Sequence, residues 1–283
     1  MEKICWANTE NFEDAEFVIV GIPDESQSHA LRKGTSDAPS RIRQISNIRD
    51  SYNRNDMVSL GRPFSGTEKK VHDIGDITRN QIKNTFEKIL SSSKIPISIG
   101  GDHSITREII TSISQPNEKI SLVYFDAHPD FVGSHTGYYG SVITDILSHI
   151  EIESSVQIGI RTPEEEELNN IKTHNFHVIT PFDIQKYGIE KITNSVIDKL
   201  GKNVYVSFDM DSIDPSFAPG VSVPVPLGLN SVDCVYLLQR IAQQGIIGID
   251  IMEVCPSYDI KDRTSHLASR IISEVIFSSG ENL

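Results

Sequence analysis

Six side chains able to hold a divalent cation fall in three short stretches of this 283-residue chain. Asp126, His128 and Asp130 take alternate positions in Phe125-Asp126-Ala127-His128-Pro129-Asp130, directly after the apolar run Leu122-Val123-Tyr124-Phe125. His103 closes Gly100-Gly101-Asp102-His103, which follows Pro96-Ile97-Ser98-Ile99. Asp209 and Asp211 follow Val204-Tyr205-Val206-Ser207-Phe208. Two imidazoles and four carboxylates with no thiolate nearby form a nitrogen and hard-oxygen donor set. That set suits Mn²⁺ and, less selectively, Zn²⁺, Fe²⁺ or Co²⁺. Six such donors over-serve one ion but not two, because a carboxylate can bridge a pair roughly 3.5–4 Å apart, and such a pair acidifies a water. Asp126 with His128, and Asp209 with Asp211, sit at i and i+2, which places each pair on one side of a strand end. Four carboxylates this close could not all ionise without a cation between them. Taken singly, each stretch is ordinary turn chemistry, and Asp214-Pro215 strengthens that reading for the third. The coincidence of three at strand ends argues for one metal site.

The elements that must position these residues alternate along the chain. Strands are expected at Phe17–Gly21, Val71–Asp76, Pro96–Ile99, Leu122–Phe125, Val156–Ile160, Phe176–Ile179, Val204–Phe208 and Ile246–Ile251. Helices are expected from Asp37 or Ser40 to about Ile48, Asn80 to Ser91, Ser104 to about Ile113, then to about His149, from Pro163, Ile189 to Leu200, Ser231 to Gln243, and Thr264 to Phe277. Residues 50–66 read as an irregular loop with glycine and proline breakers. Alternation of apolar strands and helices predicts an α/β fold, with a mainly parallel sheet covered on both faces. In such sheets the site lies outside the carboxyl ends of the strands, and all three clusters fall there. Glu253 follows a fourth strand in the same way. No linker, repeat or low-complexity tract divides the chain, so residues 1–283 are expected to form a single domain.

The formal charge of −13 argues against non-specific nucleic-acid binding and is compatible with a cationic substrate. The three cysteines form no disulfide framework or zinc pattern, which suits a reducing, cytoplasmic setting. No signal peptide is evident, and no apolar stretch approaches the ~20 residues needed to span a membrane, so no membrane partner is expected.

Gly100-Gly101-Asp102-His103-Ser104, Asp126-Ala127-His128-Pro129-Asp130 and Ser207 to Pro215 resemble, in order, the three metal signatures of the arginase/agmatinase (ureohydrolase) family. Arg32-Lys33-Gly34 to Pro39 with Ile42-Arg43, Asp73-Ile74-Gly75-Asp76, and Ile249 to Val254 with Pro256 extend the likeness over nearly the whole chain. The resemblance implies a three-layer αβα fold, arginase-like, with two Mn²⁺ ions. It implies His103, Asp126, Asp130 and Asp209 on one ion and Asp126, His128, Asp209 and Asp211 on the other, with Asp126 and Asp209 bridging. A bridging hydroxide, oriented also by Asp130, would attack a guanidinium carbon and release urea. Glu253 matches the family's guanidinium-binding glutamate, which accepts paired donors bidentately. The family often carries a His-Gly pair in the loop after the second signature, as a proton relay. Ser134-His135-Thr136-Gly137 offers His135 for that role and for substrate contact, in an altered spacing.

Val156 to Thr162 and Pro256-Ser257-Tyr258-Asp259 look closer to agmatinases than to arginases. Agmatine ends in an ammonium, so its tail needs acceptors. Glu164 and Glu165, among the four glutamates Glu164 to Glu167 that open a helix, could supply one, although these residues also read as a solvated, dipole-favoured helix start. Val221-Ser222-Val223-Pro224-Val225-Pro226 departs from the family's usual run. Arginine, guanidinobutyrate, guanidinopropionate and formiminoglutamate therefore stand as alternatives to agmatine. A two-metal phosphoesterase is disfavoured by Glu253, which would repel an anion, and a non-catalytic assembly protein by the presence of all six ligands. The family commonly forms trimers and hexamers, so a homo-oligomer is expected.

Overall fold

The structure, a computed structural model, describes residues 2–48, 69–115, 118–134 and 137–280. The expected loop at 50–66 lies outside the described residues, as does His135. Eight strands are described: β1 Phe17–Gly21, β2 Val71–Asp76, β3 Ile95–Ile99, β4 Ser121–Phe125, β5 Val156–Ile158, β6 His177–Ile179, β7 Val204–Asp209 and β8 Gly248–Met252. All pair in parallel, in the order β2-β1-β3-β8-β7-β4-β5-β6. The described helices are α1 Ala38–Ser46, α2 Ile82–Ser91, α3 Ile105–Ile113, α4 Val142–Ile146, α5 Glu165–His174, α6 Pro181–Tyr187, α7 Ile189–Lys199, α8 Ser231–Gln244 and α9 Arg263–Ser278.

Strand side chains alternate between two cores, one on each face of the sheet. Phe17, Ile19, Val123, Phe125, Val206, Phe208, Ile249 and Ile251 pack with residues of α1, α6, α7, α8 and α9. Val18, Val20, Leu122, Tyr124, Tyr205 and Met252 pack on the opposite face with α2, α3 and α4. Strands apolar on both faces have to be covered on both, and the three-layer αβα arrangement follows from that requirement.

Three local expectations changed. The helix after the second cluster ends at Ile146 rather than near His149. The short α6 was not foreseen, although Thr180-Pro181-Phe182-Asp183 carries its signal. The Thr180 and Asp183 side chains cap each other's backbone N–H groups, and Pro181 opens the helix. The helix after the first cluster starts at Ile105 rather than Ser104, whose hydroxyl donates to Asp102 instead of capping the helix.

The strand order is what matters for function. β3 and β4 are consecutive in the chain, yet β8 and β7 lie between them. The loops after β3, β8, β7 and β4 therefore leave adjacent strands at the same edge of the sheet, where the winding reverses. All three cysteines are unpaired, and among the described residues no helix is long and apolar enough to cross a membrane.

Candidate metal centre

The three clusters and Glu253 meet at the carboxyl ends of the four central strands. His103 comes from β3, Asp126, His128 and Asp130 from β4, Asp209 and Asp211 from β7, and Glu253 from β8. All except the half-buried His128 are at most 7% exposed. Together they line a cavity of about 80 Å³.

Local structure explains each placement. After β3 the backbone passes so close to the Asp24 carbonyl that a Cβ on Gly101 would stand 1.9 Å from its oxygen. Only glycine permits that approach, which turns His103 inward. Asp130 and Glu253 both adopt left-handed backbone, with φ of 49° and 64°. Such conformations in non-glycine residues cost about 1–3 kcal/mol and persist where the surroundings enforce them. Here the Tyr124 hydroxyl donates to Asp130 Oδ2 at 2.6 Å. Glu253 accepts from the His103 N–H at 2.8 Å and from the Ser222 hydroxyl. The Ala127 N–H donates to Asp211 Oδ1 at 3.0 Å, which joins the β4 and β7 loops.

The donor atoms fall into two groups that share Asp126: His103, Asp126 and Asp130, and Asp126, His128 and Asp211. His103 Nδ1 lies 2.9 Å from Asp126 Oδ2, 3.2 Å from Asp209 Oδ2 and 3.5 Å from Asp130 Oδ2. His128 Nδ1 lies 3.1 Å from Asp211 Oδ2 and 3.3 Å from Asp126 Oδ1. Asp126 Oδ2 is buried and receives no aligned hydrogen bond, despite the imidazole beside it. A buried carboxylate oxygen left without a donor, facing ring nitrogens, fits a cation between them. The donor set therefore fits two divalent ions with Asp126 between them.

Electrostatics point the same way. Burial and the Asp126 charge push Asp130 well above the ordinary carboxylate range, and burial with Asp211 and Asp126 does the same to Asp209. Burial works against the charged imidazoles, yet the carboxylates outweigh it. Asp126 and Asp209 raise His103 far above its usual value, and Asp211 and Asp126 lift His128 to about 12. Without metal, protons have to take up the charge that a cation would otherwise balance.

An outer shell stands behind the donors. His103 Nε2 lies 2.9 Å from Ser207 Oγ, and Ser207 donates to the fully buried Asp250 at 2.8 Å. Thr106 and Tyr205 also donate to Asp250, each at 3.0 Å. With the Ser207 proton engaged by Asp250, its oxygen accepts from Nε2–H, which leaves Nδ1 free to face the cavity. Gln157 donates to the Pro129 carbonyl at 2.7 Å. None of these residues was singled out from sequence. Their signal was there, since Ser207, Asp250 and Gln157 are polar residues within otherwise apolar strands.

The glutamates of α5 differ from their expected role. Glu164, at the helix N-terminus, is exposed and lines the cavity. Glu167 is buried rather than solvated, and accepts from the Phe131 N–H at 3.0 Å and the Glu164 N–H at 2.8 Å. Glu166 accepts from the Gly133 N–H at 2.8 Å. These two carboxylates hold the segment that follows Asp130. Arg161 also turns inward, but its guanidinium is spent on the carbonyls of Gly159, Asp211, Ser212, Val225 and Pro226. Among the described residues, no lysine or arginine lines the cavity. In the loop that was expected to present His135, the described residues facing the cavity are Val132, Tyr138, Tyr139 and Gly140.

Comparison with known proteins agrees with this geometry. The sequence pattern of the Arginase family matches residues 15–278. A guanidinobutyrase of Pseudomonas aeruginosa is 32% identical, over 93% of this chain and 85% of its own. An agmatinase of Proteus mirabilis is 31% identical, over 93% of this chain and 87% of its own. The crystal structure of agmatine ureohydrolase from Thermoplasma volcanium superposes with a TM-score of 0.85 at 31% identity, covering 98% of this chain and 94% of that one. Signatures, fold and relatives agree: the chain belongs to the arginase family of ureohydrolase enzymes.

Proposed function

We propose that this protein hydrolyses a guanidino compound with a cationic tail, best fitted by agmatine, to urea and a primary amine, using two Mn²⁺ ions. The observation that carries the tail assignment is the cavity lining, which has seven carboxylates and, among the described residues, no lysine or arginine. A carboxylate tail would find no lysine or arginine there among the described residues, and burying an unpaired charge is costly. An ammonium tail would find Glu164 at the mouth.

His103, Asp126, Asp130 and Asp209 would hold one ion, and Asp126, His128, Asp209 and Asp211 the other. The bound pair supplies a water acidified enough to act as nucleophile near neutral pH. Glu253 receives the guanidinium. One carboxylate oxygen is anchored by the His103 N–H and the other by the Ser222 hydroxyl, so the group is aimed before substrate arrives. Asp130, fixed by Tyr124, holds its carboxylate at the same floor. Water oxygen adds to the guanidinium carbon, and the bond from that carbon to the alkyl-bearing nitrogen breaks. That nitrogen takes up both protons of the water and leaves as the protonated primary amine, with urea as the other product.

A second reading, with guanidinobutyrate as substrate, is favoured by the relative of that activity at 32% identity. The two are separated by a urea-release panel on Mn²⁺-loaded protein over agmatine, guanidinobutyrate, guanidinopropionate, arginine and formiminoglutamate. Agmatine is expected to give the highest kcat/KM. A preference for guanidinobutyrate would overturn the tail assignment and leave the reaction class standing. Full urea release by Asp126→Ala would overturn the site.

A further inference from the structure

The cavity lining is aromatic as well as acidic, and none of the three metal signatures accounts for the aromatic part. Tyr138 and Tyr139 both line the cavity. Their rings stand edge to face, 5.4 Å apart at 86°. His29, from the loop after β1, backs both. Its ring meets Tyr138 at 5.0 Å and 64° and stacks with Tyr139 at 6.3 Å and 29°. Gly140 makes the arrangement possible, because a Cβ there would lie 2.7 Å from the Tyr138 ring. Within the one cavity lining, the two phenols feel different carboxylates. Burial raises both, and the negative charges that add to it differ. For Tyr138 they are Asp130, Glu164 and Glu167, and for Tyr139 Glu253 leads.

From this placement we infer that the two tyrosines divide recognition of a doubly cationic substrate, Tyr138 with Glu164 receiving the tail ammonium and Tyr139 covering the guanidinium held by Glu253. An aromatic face attracts a cation through its quadrupole, and the attraction grows when the pair is partly desolvated, as it is for half-buried rings beside carboxylates. A carboxylate on one side and a ring face on the other hold a cation from two directions. This assignment rests on the guanidino-hydrolase reading and deepens it.

Two substrates that differ only in the tail charge test it, agmatine and n-butylguanidine, with urea release as the common signal. The measured quantity is the ratio of their kcat/KM values. In Tyr138→Leu the ratio falls on the order of tenfold, and in Tyr138→Phe it stays near that of the parent, because phenylalanine keeps the ring face. In Tyr139→Leu both substrates lose kcat/KM together and the ratio holds. Tyr138→Met, closer in volume, repeats the measurement if the leucine variant misfolds, and parental metal content establishes an intact floor. An unchanged ratio in Tyr138→Leu, or an equal fall in Tyr138→Phe, overturns the assignment. Absence of urea from every guanidino compound in the parent protein overturns instead the hydrolase reading beneath it.

Discussion

In the proposed reaction, Glu253 is the residue on which substrate charge and protein charge meet. Burial pushes its carboxyl up to about 7, against the opposing pull of the Ser222 hydroxyl and the His103 N–H. Only the ionised form can take both donors of a guanidinium. Because the value in the folded protein is raised, the proton stays on below neutrality and leaves as pH climbs. Divalent cations beside it lower that value, so with metal saturating the rising limb of kcat/KM is expected below about 7. Glu253→Gln should lower kcat/KM by about 10- to 100-fold and flatten that limb, since a charged hydrogen bond contributes about 1.5–3 kcal/mol. Steady-state urea release across the range checks both, and a limb unchanged in the variant would assign it to another group. Asp250 acts one step further back. It gathers Ser207, Thr106 and Tyr205, and through Ser207 it sets which nitrogen of His103 faces the donors. Asp250→Asn replaces one acceptor oxygen with a donor, so Ser207 must turn. Metal affinity is expected to fall about 10- to 100-fold with the fold intact. Competition against a chelator measures that loss, and parental affinity would reduce Asp250 to a packing role.

At the scale of elements, strand existence was legible because most strands are short, mainly apolar runs closed by glycine, proline or a charge, β2 with its His72, Asp73 and Asp76 being the exception. Strand neighbours were not legible. Nothing in the local pattern of β3 or β4 says that β8 and β7 separate them, since that order is set by contacts between residues far apart in the chain, as in the pairings of Ile97 with Ile249 and of Val123 with Val206. The same limit hid the link between two other stretches. Arg43 of α1 and Asp73 of β2 each looked like a separate likeness to relatives, yet they form a buried two-pronged ion pair, with both contacts at 2.9 Å. The helix α5 shows a subtler failure. Its acidic first turn suits the helix dipole, and that local reason was sufficient to suggest solvent exposure. Tertiary structure gives Glu166 and Glu167 a second use, as acceptors for the backbone after Asp130. Glu167→Ala would leave the Phe131 and Glu164 N–H groups without their acceptor, at a cost of about 1–3 kcal/mol. Hydrogen exchange at the Phe131 and Gly133 amides is expected to speed up while exchange in β4 does not. Uniform acceleration would mean a general loss of stability rather than release of this segment.

For the whole molecule, the charge of the chain and the charge of its site are one problem. Of a formal −13, two divalent ions would cancel four charges, all at one buried point. Without them the fold has to accommodate Asp130 and Asp209 at values well above the carboxylate range, and His103 and His128 also raised, the latter to about 12. All four shifts have the same sign. A group raised in the folded state contributes stability while it keeps its proton, and that contribution is lost as pH climbs toward the folded value. Asp126, held low by His103 and His128 against burial, has the opposite sign, but its window lies in acid, below the unfolded carboxylate value. Between pH 6 and 9 the metal-free protein is therefore expected to lose stability as pH rises. The metal-loaded protein moves the other way, because ligands must shed protons to bind. At a hundredfold excess over Kd, metal contributes about 2.7 kcal/mol, or roughly 5–10 °C in Tm for a chain of this size. Melting curves with Mn²⁺ and with chelator should thus separate further at pH 9 than at pH 6. Asp209→Asn sharpens the test. It removes a buried charge repelled by Asp126 and Asp211, so the metal-free variant should melt above the metal-free parent. It should also lose most of the gain from Mn²⁺. A gap that narrows with pH, or a variant that keeps the full gain, would mean that the cluster does not bind metal at the cost of its protons.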